Sequence, residues 1–273
     1  MTDFMHRHIA RPILMRALIL SALSAATIAA LAYVYLQLRV ADITDAIETE
    51  ETLHVQIQAE ILSADLRFIA YALYFLRDQL QAHGQIKSDA DRVSYAHDLY
   101  SIMRSNDLFD QIRFIDAAGM ERLRIDSGEA GGEQSEAFVV PNRELQFKGD
   151  KYYFRQSMAL DAQSIYISPL DLNMEHGKVE RPLKPVIRFG LKILRADGKP
   201  AGILMINHKA QDMLDRFVQI GALIGGEAML INHNGYWLSH PDSNKEWGFM
   251  FADRKHLTLA KTDPSLWRRM QLQ

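Results

Sequence analysis

From Ala17 to Leu36 the sequence reads ALILSALSAATIAALAYVYL, without one charged residue. A helix rising about 1.5 Å per residue carries this run across roughly 30 Å, the thickness of a bilayer's hydrocarbon core. Arg7, Arg11 and Arg16 precede the run, with His6 and His8. Asp42, Asp45, Glu48, Glu50 and Glu51 follow it, with no Lys or Arg between Arg39 and Arg67. The positive-inside rule then predicts a cytoplasmic N-terminus over 1–16, a transmembrane helix over 17–37 and export of everything beyond. Tyr33 and Tyr35 sit at the outer end, where amphipathic rings favour the interface. A cleaved signal peptide is the competing reading. Its apolar core is usually only about 7–15 residues, and the small residues of ALSAA lie inside the run rather than after it. The run is read as an uncleaved anchor. Later apolar stretches, GILMIN and IGALIGGEAMLI, are too short or too polar to cross a bilayer.

Past the anchor the apolar residues keep a helical period. Val40, Ile43, Ile47, Ile57, Ile61, Ala64 and Phe68 recur at spacings of three and four or their sums, with Glu50 and His54 interrupting the seam. No Gly or Pro occurs between Pro12 and Gly84 to break it. A long helix over 38–83 is expected. Its spacing approximates a heptad, the pattern by which two parallel helices bury a shared stripe, so a homodimer is expected along it. The denser segment LRFIAYALYFL implies packing against a domain. A second helix fits DADRVSYAHDLYSIMRS, capped by Ser88 or Asp89.

The period then changes from helical to alternating. QIRFID, ERLRID, SIYISPL, KPVIRFGLKILRA and KPAGILMIN read as five strands of one antiparallel sheet. The turns DAAG and ADGK close hairpins between them. In ERLRID, alternation places Arg122, Arg124 and Asp126 on one face and Leu123 and Ile125 on the other. SGEAGGEQSE is a polar loop, DKYYFRQSMAL a short helix, and QDMLDRFVQIG a further helix. EAMLINHNGYWLSHP is another strand–turn–strand pair. The fold class is α+β: anchor, long helix, one complete antiparallel domain over 84–218, and a second unit beginning at 219.

A chain of 273 residues has room for one large domain or two modest ones. The net charge of −3 gives no global attraction to nucleic acid. The absence of cysteine excludes disulfides and thiolate chemistry. Nucleophile elbow, P-loop, HExxH and dinucleotide fingerprints are all missing. His233, His240 and Asp242 offer ligands for a metal, but SHPD is also an ordinary turn, which is preferred. No cofactor or metal is expected, and the chain as written is read as non-catalytic.

One stretch stands apart: KGDKYYFRQSM, followed by SIYISPLDLNMEHGKVERPLKPVIR. Arg122, Arg124, Lys148, Arg155, Lys184 and Arg188 all fall on the expected sheet or its covering helix. Arg presents a fork to a carboxylate, tyrosines wall an apolar body, and Asp171 can take an ammonium group. A small carboxylate-bearing ligand suits such a surface. Residue chemistry alone leaves pocket and packing equally open.

IRFIDAAGMERLRIDS, LQFKGDKYYFRQSM, IYISPLDLNMEHGKVERPLKPVIR, DGKPAGILMINHKAQDMLDRF and LINHNGYWLSHPDSNKEWGFMF, in this order, resemble the periplasmic tandem PAS-like (double Cache) sensor region of bacterial membrane histidine kinases and diguanylate cyclases. The likeness covers roughly residues 40–270. It implies a membrane-distal PAS-like domain (84–218), a membrane-proximal one (219–273, truncated) and a location at the bacterial inner membrane, sensor outward. It also implies a pocket along the short helix and the next strand. The candidate ligand residues are Arg124, Lys148, Tyr152, Tyr153, Arg155, Tyr166, Asp171 and Arg188, with Ser168 nearby. Such receptors continue into a second span and an output module, whereas this chain stops at SLWRRMQLQ. A fragment, a truncated product, or a sensor working through a partner are the expectations. Extracytoplasmic small-molecule sensing is the leading function. A membrane-anchored exported hydrolase and a non-catalytic adaptor are the alternatives.

Overall fold

The computed structural model describes residues 2–83, 89–104, 107–130, 133–134, 136–175, 177–223 and 227–272. Its first helix, α1, runs Thr2–His83 without interruption. The chain separates into two compact units, Met1–Ile57 and Gln58–Gln273, whose boundary falls inside this helix.

In the first unit, Leu18–Ile57 marks the one helix among the described residues long and apolar enough to cross a membrane. Leu18, Leu23, Ile28 and Leu31 are exposed, as lipid-facing side chains are. The hydroxyls of Ser21, Ser24 and Thr27 donate back to the carbonyls of Leu18, Leu20 and Leu23 at 3.0, 2.9 and 2.9 Å. These three hydroxyls thereby find their partners within the helix, the condition hydrocarbon imposes.

The second unit is built on one antiparallel sheet. Its main strands are β1 (Phe109–Asp116), β2 (Glu121–Asp126), β6 (Ile165–Ile167), β10 (Pro185–Leu194) and β11 (Pro200–Lys209). These are the five expected strands. Two-residue strands extend the sheet, giving the order β5 (Phe138–Val139), β2, β1, β11, β10, β6, with β7 (Asp171–Leu172) also pairing with β10. The glycine-rich stretch holds two minor strands, β3 (Glu129–Ala130) and β4 (Glu133–Gln134), where a plain loop was expected. Another small hairpin joins β8 (Met174–Glu175) to β9 (Lys178–Val179). The helices are α2 (Asp89–Arg104), α3 (Tyr152–Ala159) and α4 (Gln211–Leu223). After α4 come β12 (Leu230–Ile231), β13 (Trp237–Ser239), α5 (Leu259–Thr262) and α6 (Pro264–Met270).

The turns form as their chemistry dictates. Asp116 Oδ1 accepts the amides of Ala118 and Met120 between β1 and β2. Asp197 caps the β10–β11 turn through Lys199 N–H, and Asn232 accepts from Asn234 and Tyr236 in the β12–β13 turn. These are Asx turns, in which a side-chain oxygen replaces the backbone acceptor.

The core lies on one face of the sheet. Ile112, Phe114, Leu123, Ile125, Phe189, Leu191, Leu204 and Ile206 form one buried cluster with Ile69, Leu73, Leu76 and Leu80 of α1 and Tyr95, Leu99 and Met103 of α2. Leu238 and Trp247, from the C-terminal segment, join the same cluster alongside Met213 and Leu214. The other side of α1 is largely exposed, although the Phe68 ring stacks on Phe109 with centroids 6.1 Å apart. Phe68, Tyr71 and Phe75 are 45%, 73% and 53% exposed. They extend the heptad stripe of the sequence by two further positions. The side chain of Ile61, which the stripe also includes, lies outside the described residues.

Candidate functional site

Strand alternation sends the second set of side chains to the opposite face. The pairing register places Gln111, Arg113 and Ile115 of β1 there, with Arg124 and Asp126 of β2, Ile203, Met205 and Asn207 of β11, Arg188 and Gly190 of β10, and Tyr166 of β6. Helix α3 lies on this face. Its Tyr153 and Phe154 pack with Ile115, Ile203 and Met205. Gly190 permits the close approach, because a Cβ there would fall 2.1 Å from Ser157 Oγ.

A β-bulge changes the expected membership. The register slips between Phe114 and Ile115, so Ile115 pairs with Glu121 rather than with Arg122. Glu121 turns inward and is fully buried. Arg122 turns outward, where it is exposed and bonded to Asp116 at 2.6 Å. The expectation that Arg122 shares a face with Arg124 and Asp126 is therefore corrected: the extra residue shifts the alternation by one.

The polar groups of this face gather at two ends. At the first, Arg113 Nη1 pairs with Glu121 Oε1 at 3.1 Å, and its Nη2 donates to Gln111. Arg124 grips Asp126 with two bonds of 2.7 and 2.6 Å. Lys148 Nζ donates to Gln146 Oε1 at 3.0 Å. The turn at Gly119, with φ of 87°, holds the Lys148 segment in place: Lys148 N–H donates to Gly119 O, and a Cβ on Gly119 would lie 2.4 Å from Gly149 Cα. Glu175, from β8, reaches into the middle. Its carboxylate accepts from Gln146 Nε2 at 3.0 Å and Gln111 Nε2 at 3.3 Å, and stands 3.5 Å from Arg124 and 3.8 Å from Lys148.

At the second end Arg188 pairs with Asp171. Tyr152 Oη donates to the other Asp171 oxygen at 2.7 Å. The Tyr153 ring lies 5.2 Å from the Arg188 guanidinium carbon, a cation–π contact. Arg188 Nη2 also reaches Asn173 Oδ1 at 3.4 Å. Among the described residues, three buried polar atoms on this face have no hydrogen-bond partner: Arg113 Nε, Tyr166 Oη and Asn207 Oδ1. Such atoms are uncommon in a finished core and mark places where a further polar group is accommodated.

Electrostatics follow from this crowding. Burial alone would raise the Glu175 carboxyl, but Arg113, Arg124 and Lys148 outweigh it and hold it at about 2. Burial, reinforced by Arg113, pushes the Lys148 ammonium below its ordinary value. Burial and the Asp171 charge push the Tyr152 hydroxyl up, keeping it a donor at all physiological pH. Asp110, buried near Lys184 and Glu180, is raised to about 6, chiefly by burial.

Of the eight residues expected from sequence, Arg124 and Lys148 meet at the first end. Tyr152, Tyr153, Asp171 and Arg188 meet at the second, with Tyr166 beside them. Arg155 does not join: it is exposed on α3, while Tyr153, Phe154 and Ser157 are the residues that helix buries. Lys184 pairs with Glu180 at 2.9 Å and Asp110 at 3.7 Å. Sequence reading missed Gln111, Arg113, Glu121, Glu175 and Asn207. The period-two alternation of β1, with Ile112 and Phe114 facing the core, was the available signal for Gln111 and Arg113.

A separate cavity of about 320 Å³ lies between α4 and β13, lined by Asp215, Val218, Ala222, His240, Pro241 and Trp247 among others. At its rim the SHPD segment is a turn: Asp242 N–H donates to His240 Nδ1 at 2.8 Å, and Asp242 Oδ1 accepts from Asn244 N–H at 3.1 Å.

A model of the bacterial histidine kinase sensor domain matches residues 77–273. The chain belongs to this sensor-domain family. The family describes the sensing part of a signalling protein rather than a catalytic one. Solved structures share the fold. One is a domain of a sensory box/GGDEF family protein of Vibrio parahaemolyticus, 22% identical with a TM-score of 0.59, covering 79% of this chain and 84% of that one. Another is the extracellular domain of the histidine kinase vpHK1S-Z8, 23% identical, TM-score 0.58, covering 79% and 80%. A third is the ligand-binding domain of the Pseudomonas aeruginosa PAO1 amino acid chemoreceptor PctC in complex with GABA, 15% identical, TM-score 0.51, covering 77% and 78%. No curated protein matches the sensor chain.

Proposed function

We propose that this sensor domain detects a small carboxylate-bearing molecule outside the cytoplasm, on the polar face of its sheet. The observation that carries this reading is the burial of Arg113, Arg124, Lys148 and Arg188 on one sheet face, beside three polar atoms without partners. Buried cations cost stability even when paired, and a purely structural face would be better served by apolar residues. The ligand's carboxylate is taken by the cations, its body lies against Tyr152, Tyr153 and Tyr166, and Asp171, which already holds Arg188 and Tyr152, is the carboxylate that an ammonium group shares. The complex of PctC with GABA, a molecule with both groups, is in keeping with this class.

The anchor holds the N-terminus in the cytoplasm and exports the remainder, residues 84–218 forming the membrane-distal module and 219–273 the membrane-proximal one. Two copies associate in parallel along the stripe from Val40 to Phe75, whose exposed Phe68, Tyr71 and Phe75 supply the contact. Calorimetric titration of the full chain in detergent micelles with amino acids and dicarboxylates tests the site. A ligand should bind, and Arg188→Ala should weaken it at least tenfold, as expected for a lost charge-assisted bond worth about 1.5–3 kcal/mol. Undiminished binding by a folded Arg188→Ala variant removes the site from this face.

A further inference from the structure

Three carboxylates serve the cations at the first end of the polar face. Glu121 and Asp126 come from β2, a strand of the main sheet. Glu175 comes from β8, whose hairpin with β9 is a separate two-stranded sheet. The contacts differ as well. Glu121 and Asp126 bond their arginines directly, at 3.1 Å and at 2.6–2.7 Å. Glu175 makes its two short contacts to the neutral amides of Gln146 and Gln111, and its distances to Arg124 and Lys148 are 3.5 and 3.8 Å.

The cations are correspondingly underserved. An ammonium carries three N–H donors. The Lys148 ammonium, on a side chain buried to 3% exposure, makes one hydrogen bond among the described residues, to the neutral Gln146 amide. Arg113 Nε, also buried, has no partner. Desolvated charge without direct bonds is costly, and a carboxylate that could approach closer would relieve that cost. Glu175 neutralises the corner at a distance without filling its hydrogen bonds.

We infer that Glu175 is the resident occupant of an anion subsite formed by Arg113, Arg124 and Lys148, and that the carboxylate of the sensed ligand takes its place. This rests on reading the polar sheet face as the ligand site. The subsite is already charged for a carboxylate: Arg113, Arg124 and Lys148 together hold the Glu175 carboxyl well below its ordinary value. Exchange replaces an internal carboxylate by an external one, so the corner's charge balance is kept while the bonds to Lys148 and Arg113 are gained. It also gives the event a readout. Glu175 follows Asp171 and Leu172 of β7 by a few residues, and Asp171 holds Arg188 at the second end. Release of Glu175 loosens the segment that carries the Arg188 partner.

Acetate tests this without knowledge of the natural ligand. In the full chain in detergent micelles, Glu175→Ala leaves a carboxylate-sized gap. Acetate in excess over its affinity should raise the melting temperature of Glu175→Ala by about 3 °C beyond an equal concentration of chloride. The wild-type protein, with the subsite occupied, should shift far less, and Lys148→Met in the Glu175→Ala background should abolish the rescue. Acetate acting no better than chloride, or equally on wild type, overturns the inference. So does a rescue that survives Lys148→Met. Should Glu175→Ala fail to fold, Glu175→Gln serves instead: faster hydrogen exchange than wild type in β7 and β8 supports the inference, and unchanged exchange defeats it. Rescue by acetate without any Arg188-dependent binding would sink the broader site reading alone. Arg188-dependent binding with unaltered affinity in Glu175→Gln would sink the resident-occupant inference alone.

Discussion

On one face of the sheet the strands present Ile112, Phe114, Leu123, Ile125, Phe189, Leu191, Leu204 and Ile206 to the helices α1 and α2. On the other, the residues that alternate with them include Gln111, Arg113, Arg124, Arg188 and Asn207. Both faces are largely buried, and both are built from the same strands. The first loses little by being sealed, because apolar area leaves water at a gain of roughly 25 cal/mol per Å². The second is held by ion pairs whose desolvation largely offsets their attraction. The difference teaches where stability resides. Packing on the first face keeps the sheet together, and that surplus tolerates a charged second face that contributes little to folding.

The comparison breaks most visibly if a core residue is removed. Phe189 is fully buried on the apolar face. Phe189→Ala should cost about 3–5 kcal/mol in chemical denaturation, with ligand affinity of the folded protein unchanged. The polar face should respond differently. Arg188→Met strands the Asp171 charge and should cost about 3 kcal/mol, whereas adding Asp171→Leu should recover most of the loss. A double variant as unstable as the single one would mean that the pair does contribute to folding.

The pH dependence of stability sharpens the contrast. Asp110 titrates near 6 in the folded protein against an ordinary 3.8, so the folded state binds that proton more tightly. Its contribution is full below pH 3.8 and is lost as pH rises through about 6. Glu175 has the opposite sign: its contribution is present above 4.5 and is lost as pH falls towards about 2. Melting temperatures should therefore rise as pH is lowered from 7 to 5. Asp110→Asn should flatten that rise and leave the acid-side loss in place. The smallest effect belongs to Arg155. Exposed on α3, Arg155→Ala should change stability by less than about 0.5 kcal/mol and leave ligand binding untouched.

Much of this arrangement is legible in the residues. The three hairpin turns announce themselves by Asp or Asn one or three residues before a glycine, and alternation separates the faces of β10 and β11. The membrane-crossing run and the heptad stripe need only counting. What was not legible depends on geometry that no period encodes. The slip at Phe114 inserts one residue and moves Arg122 out and Glu121 in. The phase of a helix as short as α3 decides that Arg155 is outside and Tyr153 inside, since neighbours on a helix point about 100° apart. Glu175 sits in a stretch of sequence with no regular pattern, and only its tertiary position shows that three cations surround it.

The slip in β2 has a further consequence. A bulge acts as a parity switch on a strand: every residue beyond it answers to the opposite face. Here the neighbours on either side of the switch carry opposite signs, Glu121 and Arg122. With regular pairing, an arginine would enter the sealed face beside Arg113, and Arg113 would lose its direct partner. One inserted residue thus sets the sign of the charge facing Arg113 without altering the sheet itself.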